Sequence, residues 1–122
     1  MPKHTGTAYL MKLFTGLRKI RQSERAHLPF LKTVIDYDIV IEIGYEEERG
    51  HPTTLKRLYL LDICSRGTLR RHLGRLVADE MIIREKHPVD GRASLLLIPP
   101  ATVRLFSKYS GVLTAISATH FK

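Results

Sequence analysis

Residues 54–98 read TLKRLYLLDICSRGTLRRHLGRLVADEMIIREKHPVDGRASLLLI. Thr54 and Ser65 each stand directly before an apolar-periodic run, where a hydroxyl side chain can accept a hydrogen bond from the free N–H groups of a first helical turn. The stretch therefore predicts two short helices separated by a tight turn near Asp62 and Ile63. The second helix has an apolar face (Leu69, Leu73, Leu76 and Val77) and an opposite face of arginines (Arg66, Arg70, Arg71 and Arg75).

A β-hairpin is predicted immediately after the second helix. Residues 81–86 and 94–98 are short runs typical of strands, and the Pro-Val-Asp-Gly turn at 88–91 joins them. Pro99 and Pro100 end the second strand and can begin a last helix, whose apolar positions are Val103, Phe106, Leu113 and Ile116. Two helices followed by a hairpin form a winged helix-turn-helix.

The N-terminal part of the chain also favours helices. In residues 9–21 the apolar positions Leu10, Leu13, Leu17 and Ile20 repeat at helical spacing, which is typical of a helix that meets another helix. Residues 29–48 fit both a strand-like alternation and a helical face, and their length favours a helix. We therefore predict a mainly α protein with one small β-hairpin, an α+β winged helix-turn-helix.

The charge of the chain is large and unevenly distributed. The 122 residues carry a formal net charge of +8 at pH 7. Six basic residues and one acid lie between Lys56 and Arg75, whereas six acids and no bases lie between Asp36 and Glu48. This sorting predicts a polyanionic partner, which could be nucleic acid, anionic lipid or an acidic protein. It also predicts that the acidic stretch, residues 36–48, is a solvated face turned away from that partner.

The sequence shows no pattern typical of disulfide bonds, metal binding, catalysis or membrane insertion. Its single cysteine, Cys64, excludes an internal disulfide framework and a cysteine-based zinc site, and its histidines show no metal-binding spacing. Cys64 is interpreted as a core thiol, with redox sensing as the alternative. No catalytic motif is present, so we expect no cofactor and no enzymatic activity. No apolar run approaches the roughly 20 residues of a membrane helix, and the N-terminus does not read as a secretory signal, which predicts a cytoplasmic protein.

The basic residues of this arrangement suit double-stranded DNA. An α-helix fits the major groove, and the residues at its N-terminal end reach base edges first. Arg75, a turn further on, is better placed for a phosphate, as is the capped helix start at Thr54. Arg92, at the tip of the hairpin, is interpreted as a probe of a narrow minor groove on a turn that Gly91 permits. The residues predicted to meet DNA are Thr54, Ser65, Arg66, Thr68, Arg70, Arg71, Arg75 and Arg92.

Two sets of residues within 52–99 match a known pattern. Ser65, Thr68, Arg71, Leu73, Arg75 and Leu76 match a recognition helix, and Asp90-Gly91-Arg92 matches the D-x-R of a wing. In this order and spacing the stretch resembles the winged helix of the MarR (multiple antibiotic resistance regulator) family. The chain departs from the family pattern at Asp62-Ile63, where the family has an apolar residue and then glycine, and at Ile98-Pro99, where it has Leu-Thr.

The resemblance implies a homodimeric transcriptional regulator. Its terminal helices would interlock, its recognition helices would enter adjacent major grooves, and the wing arginine would reach a minor groove. Asp90 would support the wing by bracing nearby arginines. Three segments are predicted on this basis: residues 1–28 with a dimerisation helix, residues 29–99 as the winged helix-turn-helix DNA-binding domain, and residues 100–122 as a C-terminal dimerisation helix.

The expected function is that of a sequence-specific DNA-binding transcriptional regulator, a dimeric repressor. The sequence does not identify a small-molecule effector. Two alternatives stay open. One is a winged-helix protein of a mobile element that serves replication initiation or protein contact. The other is a basic amphipathic protein that sits on anionic membranes through residues 9–21.

Overall fold

The protein is described by a computed structural model that covers the backbone of residues 2–121 and the side chains of residues 12–121. Within this range the chain forms five helices and one two-stranded antiparallel sheet. The predicted fold class, mainly α with one hairpin, is confirmed. The elements are α1 (Pro2–His27), α2 (Val34–Glu48), α3 (Leu55–Leu60), α4 (Arg66–Ala78), β1 (Ile83–Lys86), β2 (Ser94–Leu97) and α5 (Pro100–His120).

The chain divides into two compact units. The terminal unit consists of Met1–Pro29 and Arg104–Lys122, and the winged unit consists of Phe30–Val103. The winged unit therefore contains α2, α3, α4, the hairpin and the first residues of α5.

In the terminal unit, α1 approaches the end of α5 closely at Gly16. A Cβ added at Gly16 would lie 2.7 Å from the Cβ of His120 and 2.7 Å from a ring carbon of Phe121, so glycine is required for this approach. The helix predicted over residues 9–21 is present and longer than expected. Leu13 and Leu17 of its predicted stripe are partly exposed, and the Leu10 side chain lies outside those described. None of the helices within the described residues combines the length and the hydropathy that a membrane span requires.

The ambiguous segment after residue 29 forms the helix α2. Its start is a capping box: the Thr33 hydroxyl accepts a hydrogen bond from the Asp36 N–H at 3.3 Å, and the Asp36 carboxylate accepts one from the Thr33 N–H at 3.2 Å. Ile39, Val40 and Ile43 are buried at helical spacing on the same face as Asp36. Burial of this face selects the helix over the strand that the alternating isoleucines also permit.

The core of the winged unit is built around α4. Leu69, Leu73 and Leu76 are fully or almost fully buried, which confirms the predicted apolar stripe, whereas Val77 lies at its half-buried edge. These leucines are joined in the core by residues of α2, α3 and β2 and of the segments directly before α2 and β1. The buried apolar residues outside α4 are Phe30, Ile39, Val40, Ile43, Leu58, Ile82 and Leu96.

The predicted hairpin is confirmed as β1 and β2, in an antiparallel register that pairs Ile83 with Leu97 and Lys86 with Ser94. A third segment joins it, because the Leu96 N–H donates to the Thr53 carbonyl at 3.0 Å and Thr54 forms an isolated bridge with Leu95. The residues that introduce α3 are thus hydrogen-bonded to the base of the hairpin.

Left-handed residues follow the ends of α2, α3 and α4. Gly50 (φ 81°), Asp62 (φ 58°) and Glu80 (φ 61°) occupy these positions. After α4, the Glu80 N–H bonds the Val77 carbonyl and the Met81 N–H bonds the Leu76 carbonyl, a Schellman pattern that also occurs around Gly50 after α2. Glycine adopts this conformation without steric cost, whereas glutamate does not.

A Glu80→Gly variant is expected to be more stable than the wild type by roughly 0.5–1 kcal/mol, since relief of the left-handed conformation outweighs the added freedom of the unfolded chain. The reverse test, Gly50→Ala, is expected to cost about 1 kcal/mol because it introduces a Cβ at φ 81°. Urea unfolding followed by circular dichroism measures both changes. Loss of stability in Glu80→Gly would show that the glutamate side chain makes a compensating contact.

Candidate nucleic-acid interface

The helix-turn-helix is formed by α3 and α4, and both of its predicted caps are present. The Thr54 hydroxyl accepts from the Arg57 N–H at 3.2 Å, and the Ser65 hydroxyl accepts from the Thr68 N–H at 3.3 Å. In the turn between the helices, Asp62 is the residue with left-handed backbone conformation. The MarR family pattern has its glycine one position later, where this chain has Ile63. Aspartate tolerates this conformation better than most residues, so the departure at Asp62-Ile63 does not prevent a tight turn.

One face of α4 is open to solvent and basic. Arg66, Arg70 and Arg71 are exposed on it. Gly67 and Gly74 are exposed as well, and a Cβ added at either glycine would meet nothing within 4 Å. Residues seven apart lie on the same side of an α-helix, so the two glycines leave a shallow surface between the arginines. We call this surface, formed by Arg66, Gly67, Arg70, Arg71 and Gly74, the arginine face.

Arg71 is oriented by a short chain of hydroxyl groups. The Ser65 hydroxyl donates to Thr68 Oγ1 at 2.9 Å, and Arg71 Nη2 donates to the same oxygen at 3.3 Å. The capping residue Ser65 and Thr68 of the first turn therefore together restrain one of the exposed guanidinium groups of α4.

Tyr59 of α3 holds the other two arginines of this face. The Arg66 guanidinium carbon lies 5.2 Å from the centre of the Tyr59 ring, and Arg70 Nε donates to the Tyr59 hydroxyl at 3.5 Å. The hydrogen bond to Tyr59 raises the pKa of Arg70, which stays fully charged. Tyr59 is not among the residues that the sequence predicts to meet DNA. Nothing in its linear spacing pairs it with residues on the next helix.

Arg75 has a different environment from the arginine face. Its guanidinium forms an ion pair with the carboxylate of Asp36 and donates through Nη1 to the Phe30 carbonyl at 3.2 Å. Asp79 lies 3.8 Å from the same Nη1. The Arg75 side chain is only 30% exposed. Its partners thus lie on α2 (Asp36), on the segment before α2 (Phe30) and directly after α4 (Asp79).

The carboxylate of Asp36 is completely buried, with 0% exposure. Besides Arg75, it accepts hydrogen bonds from His72 Nδ1 at 2.8 Å, the Lys32 N–H at 2.8 Å and the Thr33 N–H at 3.2 Å. Because the ionised carboxylate can only accept, His72 Nδ1 carries the proton of this bond. The prediction that residues 36–48 form a solvated acidic face is therefore wrong for Asp36. We call Asp36, His72 and Arg75 the anchor cluster.

Burial and hydrogen bonding act on Asp36 in opposite directions. Burial raises the pKa of the Asp36 carboxyl, because the charged form loses its water. The hydrogen bonds from His72 and the Lys32 N–H, together with the charge of Arg75, outweigh burial and hold the pKa below its ordinary value. Asp36 is thus an ionised group inside the winged unit.

The tip of the hairpin is held by side chains rather than by a left-handed glycine. His87 Nδ1 accepts from the N–H groups of Val89 and Asp90, both at 3.1 Å, and Asp90 Oδ1 accepts from the Arg92 N–H at 3.1 Å. Gly91 does not adopt a positive φ, so the expectation that the turn depends on its conformational freedom is wrong. The Arg92 side chain is exposed. Asp90 supports its backbone.

The eight predicted DNA residues are therefore distributed over four places. Thr54 caps α3, Arg92 lies at the hairpin tip, and Arg75 belongs to the anchor cluster. The other five lie at the cap and in the first two turns of α4: Ser65, Arg66, Thr68, Arg70 and Arg71. Cys64 is half-buried directly before the cap of α4. Within the part of the chain that the structure describes, no three His, Cys, Asp or Glu residues are grouped so that they could hold a metal ion.

Solved structures of transcriptional regulators have a fold similar to that of this chain. The chain aligns with the transcriptional regulator PA4135 at a TM-score of 0.64 and 17% identity, over 93% of this chain and 78% of that one. It aligns with the transcriptional regulator Tm0710 from Thermotoga maritima at 0.62 and 20%, over 93% and 80%. A cysteine-to-serine mutant of MarR from E. coli, complexed with operator DNA, aligns at 0.52 and 18%, over 93% and 71%.

These similarities are similarities of fold. The identities are low, no protein-family model matches the sequence, and no match is found among curated proteins. The chain has the fold of the MarR-type winged helix-turn-helix regulators, which confirms the predicted resemblance at the level of structure.

Proposed function

We propose that the protein is a sequence-specific DNA-binding regulator that acts in the cytoplasm as a homodimeric repressor and not as an enzyme. The observation that carries this proposal is the arginine face on α4. It occurs together with an exposed wing arginine, Arg92, in a fold shared with transcriptional regulators. One protein of this fold, MarR from E. coli, has been solved with operator DNA.

The roles of the residues follow from their position on the helix. Arg66, Thr68, Arg70 and Arg71 lie in the first two turns of α4, the part of a recognition helix that reaches base edges. A guanidinium group can bind guanine through two parallel hydrogen bonds. Thr54 and Ser65 cap the two helices whose N-terminal N–H groups would face phosphate. Arg92 would enter the minor groove on a tip that Asp90 stabilises.

A second copy of the chain is the partner that we propose for the terminal unit. Leu13, Phe14 and Leu17 on α1 are 38%, 59% and 42% exposed, and Phe121 is 38% exposed. Large apolar side chains grouped in this way are typical of a surface that another subunit covers. A dimer would also present two copies of α4 to one duplex.

The proposal is tested by selecting duplexes from a random-sequence library with the wild-type protein. The enriched site is expected to consist of two half-sites about 10–10.5 base pairs apart, or a multiple of that spacing. Its affinity is expected to fall by about 10³–10⁵ between roughly 50 and 200 mM salt if 6–10 phosphates are contacted. Sedimentation of the complex measures how many chains bind. Absence of any enriched sequence would contradict the proposal.

Gly74→Ala is expected to move stability and DNA binding in opposite directions. Alanine at this exposed helical position stabilises the protein by about 1 kcal/mol. If DNA approaches the arginine face closely, the new methyl group weakens binding of the selected duplex roughly tenfold, as much as the loss of one good base contact. Fluorescence anisotropy gives the affinity and urea unfolding gives the stability. Unchanged or tighter binding in the more stable variant would show that DNA does not approach this face.

Tyr59 variants separate its two contacts with the arginines. Tyr59→Phe keeps the ring under Arg66 and loses only the hydroxyl that accepts from Arg70, whereas Tyr59→Leu loses both. A cation–π contact at an exposed site contributes roughly 0.5–1 kcal/mol, so Tyr59→Leu is expected to bind the selected duplex about two- to fivefold more weakly than Tyr59→Phe. Equal affinities of the two variants would mean that the ring does not prepare Arg66 for DNA.

A further inference from the structure

The anchor cluster joins the recognition helix to the start of α2. Arg75 and His72 both project from α4, one turn apart, and both bond the carboxylate of Asp36. That carboxylate is itself held by two backbone N–H groups of the segment before α2. Arg75 adds a bond to the Phe30 carbonyl, at the first residue of the winged unit. The position of α4 along and around its axis is therefore tied to residues 30–36.

The partners of Arg75 leave it poorly suited to a phosphate. Its guanidinium is engaged by Asp36 and Phe30, and Asp79 lies near it. To reach a DNA phosphate, the guanidinium would have to leave a buried carboxylate without its cationic partner, which is costly because that charge is not solvated. Arg66, Arg70 and Arg71 are exposed, so their guanidinium groups can reach DNA without this cost.

We propose that Arg75 acts through Asp36 as a positioning residue, which fixes the orientation in which α4 presents the arginine face, and that it makes no contact with DNA. This inference rests on the proposed function. It replaces the phosphate contact predicted for Arg75 from its place on the helix. Base recognition requires that side chains reach the bases at fixed angles, whereas attraction to phosphate tolerates a shifted helix. Loss of the anchor therefore reduces specific binding more than non-specific binding.

The test compares Arg75→Gln and Arg75→Lys with the wild type on two probes: the duplex recovered from the random library and an unrelated duplex of the same length. Binding is measured over a series of salt concentrations, at a temperature where unfolding curves show every variant to be folded. Arg104→Gln is the matched control, because it removes the same charge from an exposed residue of the terminal unit. A double variant, Asp36→Asn with Arg75→Gln, removes both members of the ion pair.

In Arg75→Gln the ratio of specific to non-specific affinity is expected to fall roughly tenfold or more, the equivalent of one lost base contact. The slope of log K against log salt is expected to stay unchanged, because no phosphate contact is lost. Arg75→Lys keeps the charge beside Asp36 and is expected to restore part of the ratio. The double variant is expected to be no worse than Arg75→Gln alone, since Arg75 acts through Asp36.

Other outcomes overturn the inference. A slope that drops by about one, with both duplexes weakened equally, would make Arg75 a phosphate contact. A ratio that stays at the wild-type value would mean that the anchor cluster supports folding only. If the wild-type protein recovers no duplex at all, the proposed function fails first, and that result is distinct from either of these.

Discussion

Asp36→Ala is expected to destabilise the winged unit by about 3–5 kcal/mol, the cost of removing one partner of a buried ion pair. The variant would leave Arg75 beside an empty site and would orphan the N–H groups of Lys32 and Thr33 as well as His72 Nδ1. The orphaned Thr33 N–H is the carboxylate half of the capping box of α2, whereas the bond from the residue-36 N–H to the Thr33 hydroxyl would remain. Chemical unfolding at neutral pH, followed by circular dichroism, measures the change.

Asp38→Ala is the matched control, since this carboxylate lies two residues further along the same helix and is exposed. Its replacement is expected to change stability by less than about 0.5 kcal/mol. The Asp36 effect should also depend on pH. Because the pKa of Asp36 is held low in the folded state, its stabilisation is complete above the ordinary carboxyl range and is lost as the pH falls through the folded value. The gap between Asp36→Ala and the wild type should therefore narrow in acid.

Equal stability of Asp36→Ala and the wild type at neutral pH would mean that the buried carboxylate contributes nothing net to the fold. A gap that widened in acid would assign the pH dependence to other groups near the cluster. The charged or titratable side chains that face Asp36 are His72 and Arg75, and Asp79 faces Arg75 in turn.

The combined replacement of Arg70, Arg71 and Arg92 with alanine is expected to weaken binding of the selected duplex by at least about 3 kcal/mol, or more than roughly 100-fold. Each of these guanidinium groups is exposed, and two of them lie on the arginine face. Their removal is expected to leave the free energy of unfolding within about 1 kcal/mol of the wild type, because surface residues contribute little to stability. Anisotropy titrations and unfolding curves measure the two quantities independently.

The matched control for this variant is the replacement of Arg18, Lys19 and Arg21 with alanine. It removes the same number of positive charges, three, from exposed positions of α1 and leaves the winged unit intact. We expect only the general electrostatic loss for the control. If both triple variants bound the duplex equally well, the arginine face and wing would have no special role, and the net charge of the chain alone would explain binding.

The features that sequence reasoning predicted correctly depend on residues that are close in the chain. The caps at Thr54 and Ser65, the buried stripe of α4 and the antiparallel hairpin each follow from contacts within a few residues or from a simple period. Residues 29–48 were harder, because alternating isoleucines fit both a strand and a helix. Their length favoured the helix that is observed, and burial of one face of α2 in the core of the winged unit is what stabilises it.

What the linear pattern could not supply is the choice of partners between helices. Asp36 reads as one acid among six in a charged stretch, and Arg75 as one arginine among several on a basic helix. Their pairing spans 39 positions of the chain and exists because α2 and α4 pack together, which brings a desolvated carboxylate to the guanidinium. Tyr59 meets Arg66 and Arg70 in the same way, through the turn that folds α3 onto α4. Helical periods and caps thus established the elements, and the assembled fold decided which arginines face solvent and which one faces inward.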